Sequence, residues 1–529
     1  MIKPFFTFLF ICCLLKSKAQ NNIDVLHYKF HIALNDDNDS IFGVSIIKFV
    51  VKEKKSTIQF DLTNVKKDGK GMFANVVGYR NHTGNEKITQ ENDKLIIPSA
   101  FNKGDTADVI INYKGIPSDG LIISKNKYGH RTFFADNWPN RAHNWIPCVD
   151  DPSDKASVEF LVVAPSHYQV ISNGIQIEES SRPNNQKETH WKEDVPLPTK
   201  VMVIGAADFA VQRVGEINCI PVYSWVYPEN RNEGFYDYAE AKDILSFFIN
   251  YIGPYPYKKL ANVQSKTRFG GMENAGAIFY FENSVTGNRE QETLLAHEIV
   301  HQWFGDMATE KSFAHLWLSE GFATYLTHLY VEAKYGTDSL NKRMRSEREE
   351  ITDFTKTSHK PVVDSVSSFM QLLNTNSYQK GGWVLHMLRR QLGDSIFKKS
   401  IRKYYETYAG KNADTRDLQK IFESVSGKDL KQFFTQWLYI AENPSLKITW
   451  KNLPKEKKVA ITVEQMQTKI FEFPLEVYLI SGLRKNKGEK IAVTKKNETF
   501  YFPVSSNIIQ IDTDYNTSLL SEISIQEMK

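Results

Sequence analysis

Cysteine is scarce in this 529-residue chain: four are present, and two of them, Cys12 and Cys13, fall within the first nineteen residues. The remaining pair, Cys148 and Cys219, does not make a disulfide framework, and a bridge between them is not expected. An excess of charge of either sign is also missing. Lys and Arg number 66 against 62 Asp and Glu, and runs such as "VKEKK" and "NLPKEKK" read as solvated faces, which leaves no basic footprint for nucleic acid. Beyond the first residues no apolar run approaches the ~20 needed to span a bilayer. There is no internal repeat and no long low-complexity segment. What remains is a globular protein too long for one core, which divides into several domains.

The opening "MIKPFFTFLFICCLLKSKAQ" has Lys3 as a positive start, an apolar run from Phe5 to Leu15, and small Ser17 and Ala19 before a cleavage point after Ala19. Residues 1–19 are therefore expected to be a secretory signal peptide. The run is short for a membrane anchor, and bulky Phe10 and Ile11 ahead of the cysteine pair disfavour lipid attachment. Loss of Lys3, Lys16 and Lys18 takes the formal charge from +4 to +1. A signal peptide implies export to a periplasm or outright secretion without distinguishing them.

Periodicity divides the rest into three. From residue 20 to 208 the pattern alternates: "HYKFHIAL" puts Tyr28, Phe30, Ile32 and Leu34 on one face, and "SIIKFVV", "STIQFDL", "VEFLVV" and "TKVMVIGA" follow. An antiparallel β-domain is expected. From 209 to 442 the pattern turns helical, beginning with "FYDYAEAKDILSFFINYIG" and ending with "DLKQFFTQWLYI". From 443 to 529 strands return in "SLKITW", "KVAITVE", "FPLEVYLIS" and "IIQIDTD", which predicts a small β-sandwich. The fold class is multidomain α+β.

Two stretches carry chemistry. In "NREQETLLAHEIVHQWFGD", Asn288 is placed to cap a helix with Gln291 three residues on, and Glu290 and Glu292 suit the positive first turn. His297 and His301 are four apart, so both imidazoles leave one helical face and reach a single metal. Glu298 between them faces a water at that metal. After eighteen intervening residues a second amphipathic helix, in "FAHLWLSEGFATYLTHLY", supplies Glu320. Two histidines and one carboxylate leave a tetrahedral zinc one open position, as catalysis requires. Iron in a two-histidine, one-carboxylate site is the rival metal, and Glu298 favours zinc hydrolysis. Upstream, "TRFGGMENAGAIFYFEN" carries Gly270, Gly271 and Glu273 where a strand should carry packing side chains. Glycine there marks close approach of a backbone or a ligand.

"HEIVH", the eighteen-residue gap, "SEG" and "GGMEN" together resemble the zinc aminopeptidase family of aminopeptidase N and leukotriene-hydrolase type. "PCVDDPSDKA" resembles the family's proline-cysteine segment, and "DLKQFFTQWL" the end of its catalytic domain. The resemblance implies a saddle-shaped N-terminal β-domain, a thermolysin-like, mainly helical catalytic domain and a C-terminal β-sandwich. It implies one Zn2+ per chain on His297, His301 and Glu320, and removal of single residues from peptides with a free N-terminus. Glu298 would be the base, and Tyr378, in "NSYQKGGWVLHML", would match the family's tyrosine-x-lysine-glycine signature and stabilise the oxyanion. Gly270, Gly271, Met272, Glu273 and Asn274 would bind substrate, the peptide pairing along the strand while Glu273 meets its α-ammonium.

Three departures from the family pattern stand out. Relatives with four domains continue into a helical solenoid, whereas some 85 residues follow Pro444 here, so a three-domain form is expected. A second amine anchor is expected ten residues before Cys148, where this chain has Trp138, leaving Asp136 or Asn137 as substitutes. Thr327 stands where relatives place a glutamate that supports a ligand histidine. Two rival functions are a thermolysin-style zinc endopeptidase and a catalytically silent peptide-binding protein. An epoxide hydrolase side activity has no residue signal, and neither the preferred first residue nor the oligomeric state follows from sequence.

Expressed with its leader in an exporting host, the processed protein should begin at Gln20. N-terminal sequencing that returned Met1 would refute the signal peptide.

Overall fold

The computed structural model describes residues 22–80, 87–482, 484–485 and 488–528. The expected signal peptide, residues 1–19, therefore lies outside the described residues.

Alternation builds the N-terminal region. In the strand Ile23–Ala33 the residues Ile23 and Val25, then Tyr28, Phe30 and Ile32, are buried, because a bulge between Val25 and His27 shifts the alternation by one. This strand lies inside a seven-stranded sheet whose order is 175–182, 186–197, 156–165, 23–33, 41–51, 106–116 and 71–79. The expectation of an antiparallel sheet holds for every pair but one: Ile23–Ala33 runs parallel to Ala156–Pro165. A parallel pair needs a long crossover, and here the chain between them builds most of the remaining strands. A four-stranded sheet (169–172, 204–207, 131–135, 121–125) and a three-stranded one (57–61, 94–98, 89–91) complete the region. Cys148 is buried, Cys219 is exposed, and they are not bonded.

From Ala210 the chain starts a five-stranded sheet in the order 210–217, 220–226, 260–265, 277–281, 271–272. The expected first helix is two helices, α1 (Arg231–Tyr238) and α2 (Ala241–Tyr251). Seven more follow among the described residues: α3 (Glu292–His301), α4 (Trp317–Tyr335), α5 (Thr337–Ser358), α6 (Gly381–Leu392), α7 (Asp394–Tyr408), α8 (Thr415–Ser426) and α9 (Lys431–Tyr439). Helix α3 begins later than the sequence suggests. The Asp237 carboxylate collects the backbone N–H groups of Thr286, Gly287 and Arg289 at 2.7, 2.7 and 2.9 Å, which holds the approach as a loop with Arg289 at φ +62°. Gln291 thus takes the cap position, and Asn288 accepts from the Glu290 N–H and the Thr286 hydroxyl instead. The C-terminal region is two packed sheets, one of strands 497–503, 458–465, 445–453 and 522–527, the other built around Phe473–Ser481.

The first two regions are joined by buried charge. Lys200 meets Glu310 at 2.6 Å with neither side chain more than 1% exposed, and the Lys155 ammonium donates to the carbonyls of Asp306, Met307 and Lys411. Removing one partner of a buried pair strands the other, which typically costs ~3–5 kcal/mol.

Helices α4 and α6 touch backbone to backbone. A Cβ on Gly321 would lie 2.8 Å from the Gly381 carbonyl carbon and 2.9 Å from its Cα. Gly321→Ala should therefore destabilise the protein by about 1–3 kcal/mol as an overpacked contact, read from the urea unfolding midpoint. An unchanged midpoint would mean that the helices part freely there.

Candidate active site

The spacing of four in "HEIVH" does what helical geometry demands. His297 and His301 leave the same face of α3, with ring centroids 4.8 Å apart and Nε2 atoms 3.2 Å apart. Helix α4 lies against α3 and brings Glu320, whose Oε2 is 3.3 Å from each Nε2. The three ligand atoms lie within 4.8 Å of one another, the one such group among the described residues. Two imidazole nitrogens and a carboxylate oxygen aimed at one point fit a divalent transition metal by donor type and by number.

Burial alone would strip His301 of charge, but the Glu320 and Glu273 carboxylates outweigh it and push its pKa up to about 10. Burial lowers that of His297, against the pull of Glu320. Burial would raise the Glu320 carboxyl, yet His301 and His297 hold it far below the usual carboxylate range. The turn after α3 and the first turn of α4 orient His301. Its Nδ1–H donates to the Phe304 carbonyl at 3.1 Å and lies 3.0 Å from the Ser319 hydroxyl, turning Nε2 toward Glu320. Gly305 makes room for this, since a Cβ there would fall 2.3 Å from Ser319 Oγ. Thr327, in the place of the supporting glutamate, is buried with its hydroxyl unpartnered. Ser319 sits inside "SEG", next to the expected ligand, but nothing in its local pattern reveals the contact.

Glu298 is buried between these histidines. Burial first, then Glu273 and Glu320, raise its carboxyl well above the ordinary range against the opposing pull of His301. A Cβ on Gly271 would lie 2.3 Å from Glu298 Oε1. The glycine expected to admit a substrate backbone is thus needed first to admit this carboxylate. Gly270, by contrast, has only Leu294 nearby, at 3.8 Å. The strand itself is short, Gly271–Met272, antiparallel to Ala277–Phe281 and last in its sheet. The Phe281 N–H donates to the Gly270 carbonyl, which by the alternation of antiparallel pairs turns the Gly271 N–H and C=O toward the open edge.

One cleft is lined by Trp138, Phe269, Gly271, Met272 and Glu273 on one side and His297, Glu298, His301, Glu320, Leu373 and Tyr378 on the other. Tyr378 lies in a π-turn over Asn376–Lys380, its ring stacked on His297 at 5.9 Å. Burial, with Glu320, Glu273 and Glu298, lifts its hydroxyl pKa well above normal, so it stays a donor. The structure does not bring Asn274 or Gly270 to the cleft wall, and the Asn274 amide is buried without a partner. Neither substitute amine anchor is available. Asp136 is spent on Arg141 at 2.6 Å and the Arg268 N–H at 3.0 Å, and Asn137 bonds the Thr199 and Met202 carbonyls and the Trp145 indole. Trp138 itself faces the cleft.

Sequence reasoning also missed Gln302. Its Nε2 donates to the Glu273 carbonyl at 2.8 Å and to Asp306 at 3.0 Å, while its Oε1 accepts the Gly276 N–H at 2.7 Å. From the other side Asn173 donates to the Ala275 carbonyl at 2.8 Å. The loop that carries Glu273 is thus held between α3 and the N-terminal region.

Family models match on both sides of this site: the peptidase M1 N-terminal domain over residues 25–201 and the peptidase family M1 domain over residues 236–437, together well over half of the chain. The chain belongs to peptidase family M1. Among curated M1-like relatives, Probable aminopeptidase 2 of Sulfurisphaera tokodaii is 29% identical over 352 residues, covering 62% of this chain and 44% of its own length. Aminopeptidase M1-B of Oryza sativa is 32% identical over 317 residues, 56% of this chain and 35% of its own. Glutamyl aminopeptidase of Bitis rhinoceros is 30% identical over 331 residues, 59% and 35%. The chain spans less than half the length of these relatives.

With its pKa near 10 in the metal-free protein, His301 carries a proton at neutral pH that a cation must displace. Metal binding should therefore strengthen as pH rises, about tenfold per unit between pH 7 and 8, and weaken as pH falls. Calorimetry in buffers of differing ionisation heat should count at least one proton released per ion. A pH-independent affinity would remove His301 from the ligand set.

Proposed function

We propose that this protein is an exported, zinc-dependent aminopeptidase that removes single residues from the free N-terminus of peptides. The observation that carries the reading is that Glu273, beside an open strand edge, shares one small cleft with the two histidines, Glu320, Glu298 and Tyr378.

His297, His301 and Glu320 would hold one Zn2+, which when bound lowers the pKa of a water and polarises a carbonyl. A peptide laid along the edge at Gly271 pairs with the outward N–H and C=O of that residue, which fixes its scissile bond over Glu298. Glu273 pairs with the α-ammonium and stops the chain there, so cleavage falls after the first residue. Glu298, ionised once a cation offsets the carboxylates around it, takes the proton of the attacking water. Its raised pKa suits it to keep that proton and pass it to the leaving amine. Tyr378, held protonated, donates to the carbonyl oxygen as negative charge develops on it. Residues 1–19 would direct the protein out of the cytoplasm.

Glu273→Ala should lower kcat/KM about 30 to 1000-fold on free-amine peptides, the loss of a buried charge-assisted contact, while zinc stays bound. N-acetylated peptides, already poor substrates, should change little. Equal losses for both classes at normal zinc content would refute the amine anchor, and efficient cleavage of acetylated peptides by the unaltered protein would favour an endopeptidase. In the same series Glu298→Gln should retain zinc and lose nearly all turnover. No turnover by zinc-loaded protein on either class would favour the silent binding protein.

A further inference from the structure

We propose that Trp138 restricts this enzyme to peptides that begin with a short, uncharged residue, alanine above all. The inference rests on the aminopeptidase reading of the same cleft and names its substrate class. Trp138 is only 2% exposed, yet its ring borders the cleft beside Glu273. Phe269 meets it edge-on at 5.9 Å and Phe313 at 5.7 Å, and Phe313 is in turn packed on Phe369 at 4.6 Å. A ring held from two sides is a fixed wall and does not swing aside for a larger side chain.

The chemistry of that end of the cleft is set by what surrounds it. Asp136 and Asn137 are occupied within the fold, which leaves Glu273 as the carboxylate for the ammonium, while Phe269, Met272, Leu373 and Trp138 offer no partner to a charged side chain. An acidic first residue is also repelled by Glu273, which lines the same end of the cleft. The indole N–H of Trp138 is buried without a partner, so the ring is not there to complete the hydrogen bonding of the fold. The free space is about 50 Å³, on the order of four water-sized spheres. Space of that size beside a fixed aromatic wall favours the smallest side chains.

The test uses zinc-loaded protein and aminoacyl p-nitroanilides of Ala, Leu, Phe, Lys and Glu. Alanine should exceed leucine and phenylalanine in kcat/KM by about tenfold or more, and lysine and glutamate by more. Because Trp138→Ala empties a packed site, Trp138→Phe is made beside it. Either variant should shift the Phe-to-Ala ratio about tenfold toward phenylalanine, chiefly through KM. The relative affinities of phenylalaninamide and alaninamide, measured by calorimetry, should shift the same way. An unaltered enzyme that prefers bulky or charged residues, or a ratio unmoved in the folded variants, overturns the proposal while leaving the aminopeptidase reading intact. Failure to hydrolyse any of the five overturns both.

Discussion

The contact between Gly321 and Gly381 places everything else in the site. With no side chain on either, α4 and the start of α6 meet backbone to backbone. Glu320 precedes the first glycine and the π-turn carrying Tyr378 precedes the second, so the approach that sets Glu320 against the histidines also sets the tyrosine ring against His297. A methyl group on either glycine would separate Glu320 from Tyr378. The glycine of "SEG" and the first glycine after "YQK" are thus two halves of one interface.

A second close approach has the same logic. Gly271 lacks a side chain at the point where the Glu298 carboxylate lies, so that carboxylate and the open strand edge occupy adjoining space. The loop beyond is fixed by Gln302 on one side and Asn173 on the other. The N-terminal region is therefore part of the site and not an appendage. Lys200 and Glu310, buried at the same seam, make sliding of one region over the other costly.

The electrostatics follow from crowding. Glu273, Glu298 and Glu320 share a buried cleft with two imidazoles, and burial by itself disfavours charge on Glu298, Glu320 and both histidines. Without a cation His301 gains a proton, Glu320 keeps its charge and Glu298 is pushed toward its neutral form. A divalent cation is the natural replacement for that proton, which is why the trio fits a metal better than a structural ion pair.

By itself the sequence determined whatever depends on short-range periodicity. Tyr28, Phe30 and Ile32 share a buried face because strand side chains alternate, and His297 and His301 share a helical face because they are four apart. The pairing of Glu320 with them was legible through the family resemblance of two motifs. Tertiary structure alone decided what each glycine makes room for, that Ser319 and the Phe304 carbonyl orient His301, and that Gln302 holds the Glu273 loop. It also decided that Trp138 walls the cleft, with Asp136 and Asn137 turned inward, and that the loop tied to Asp237 delays α3 past Asn288. These depend on contacts between elements tens to hundreds of residues apart, where a side chain's role is set by which neighbour arrives and not by its own position in a repeat.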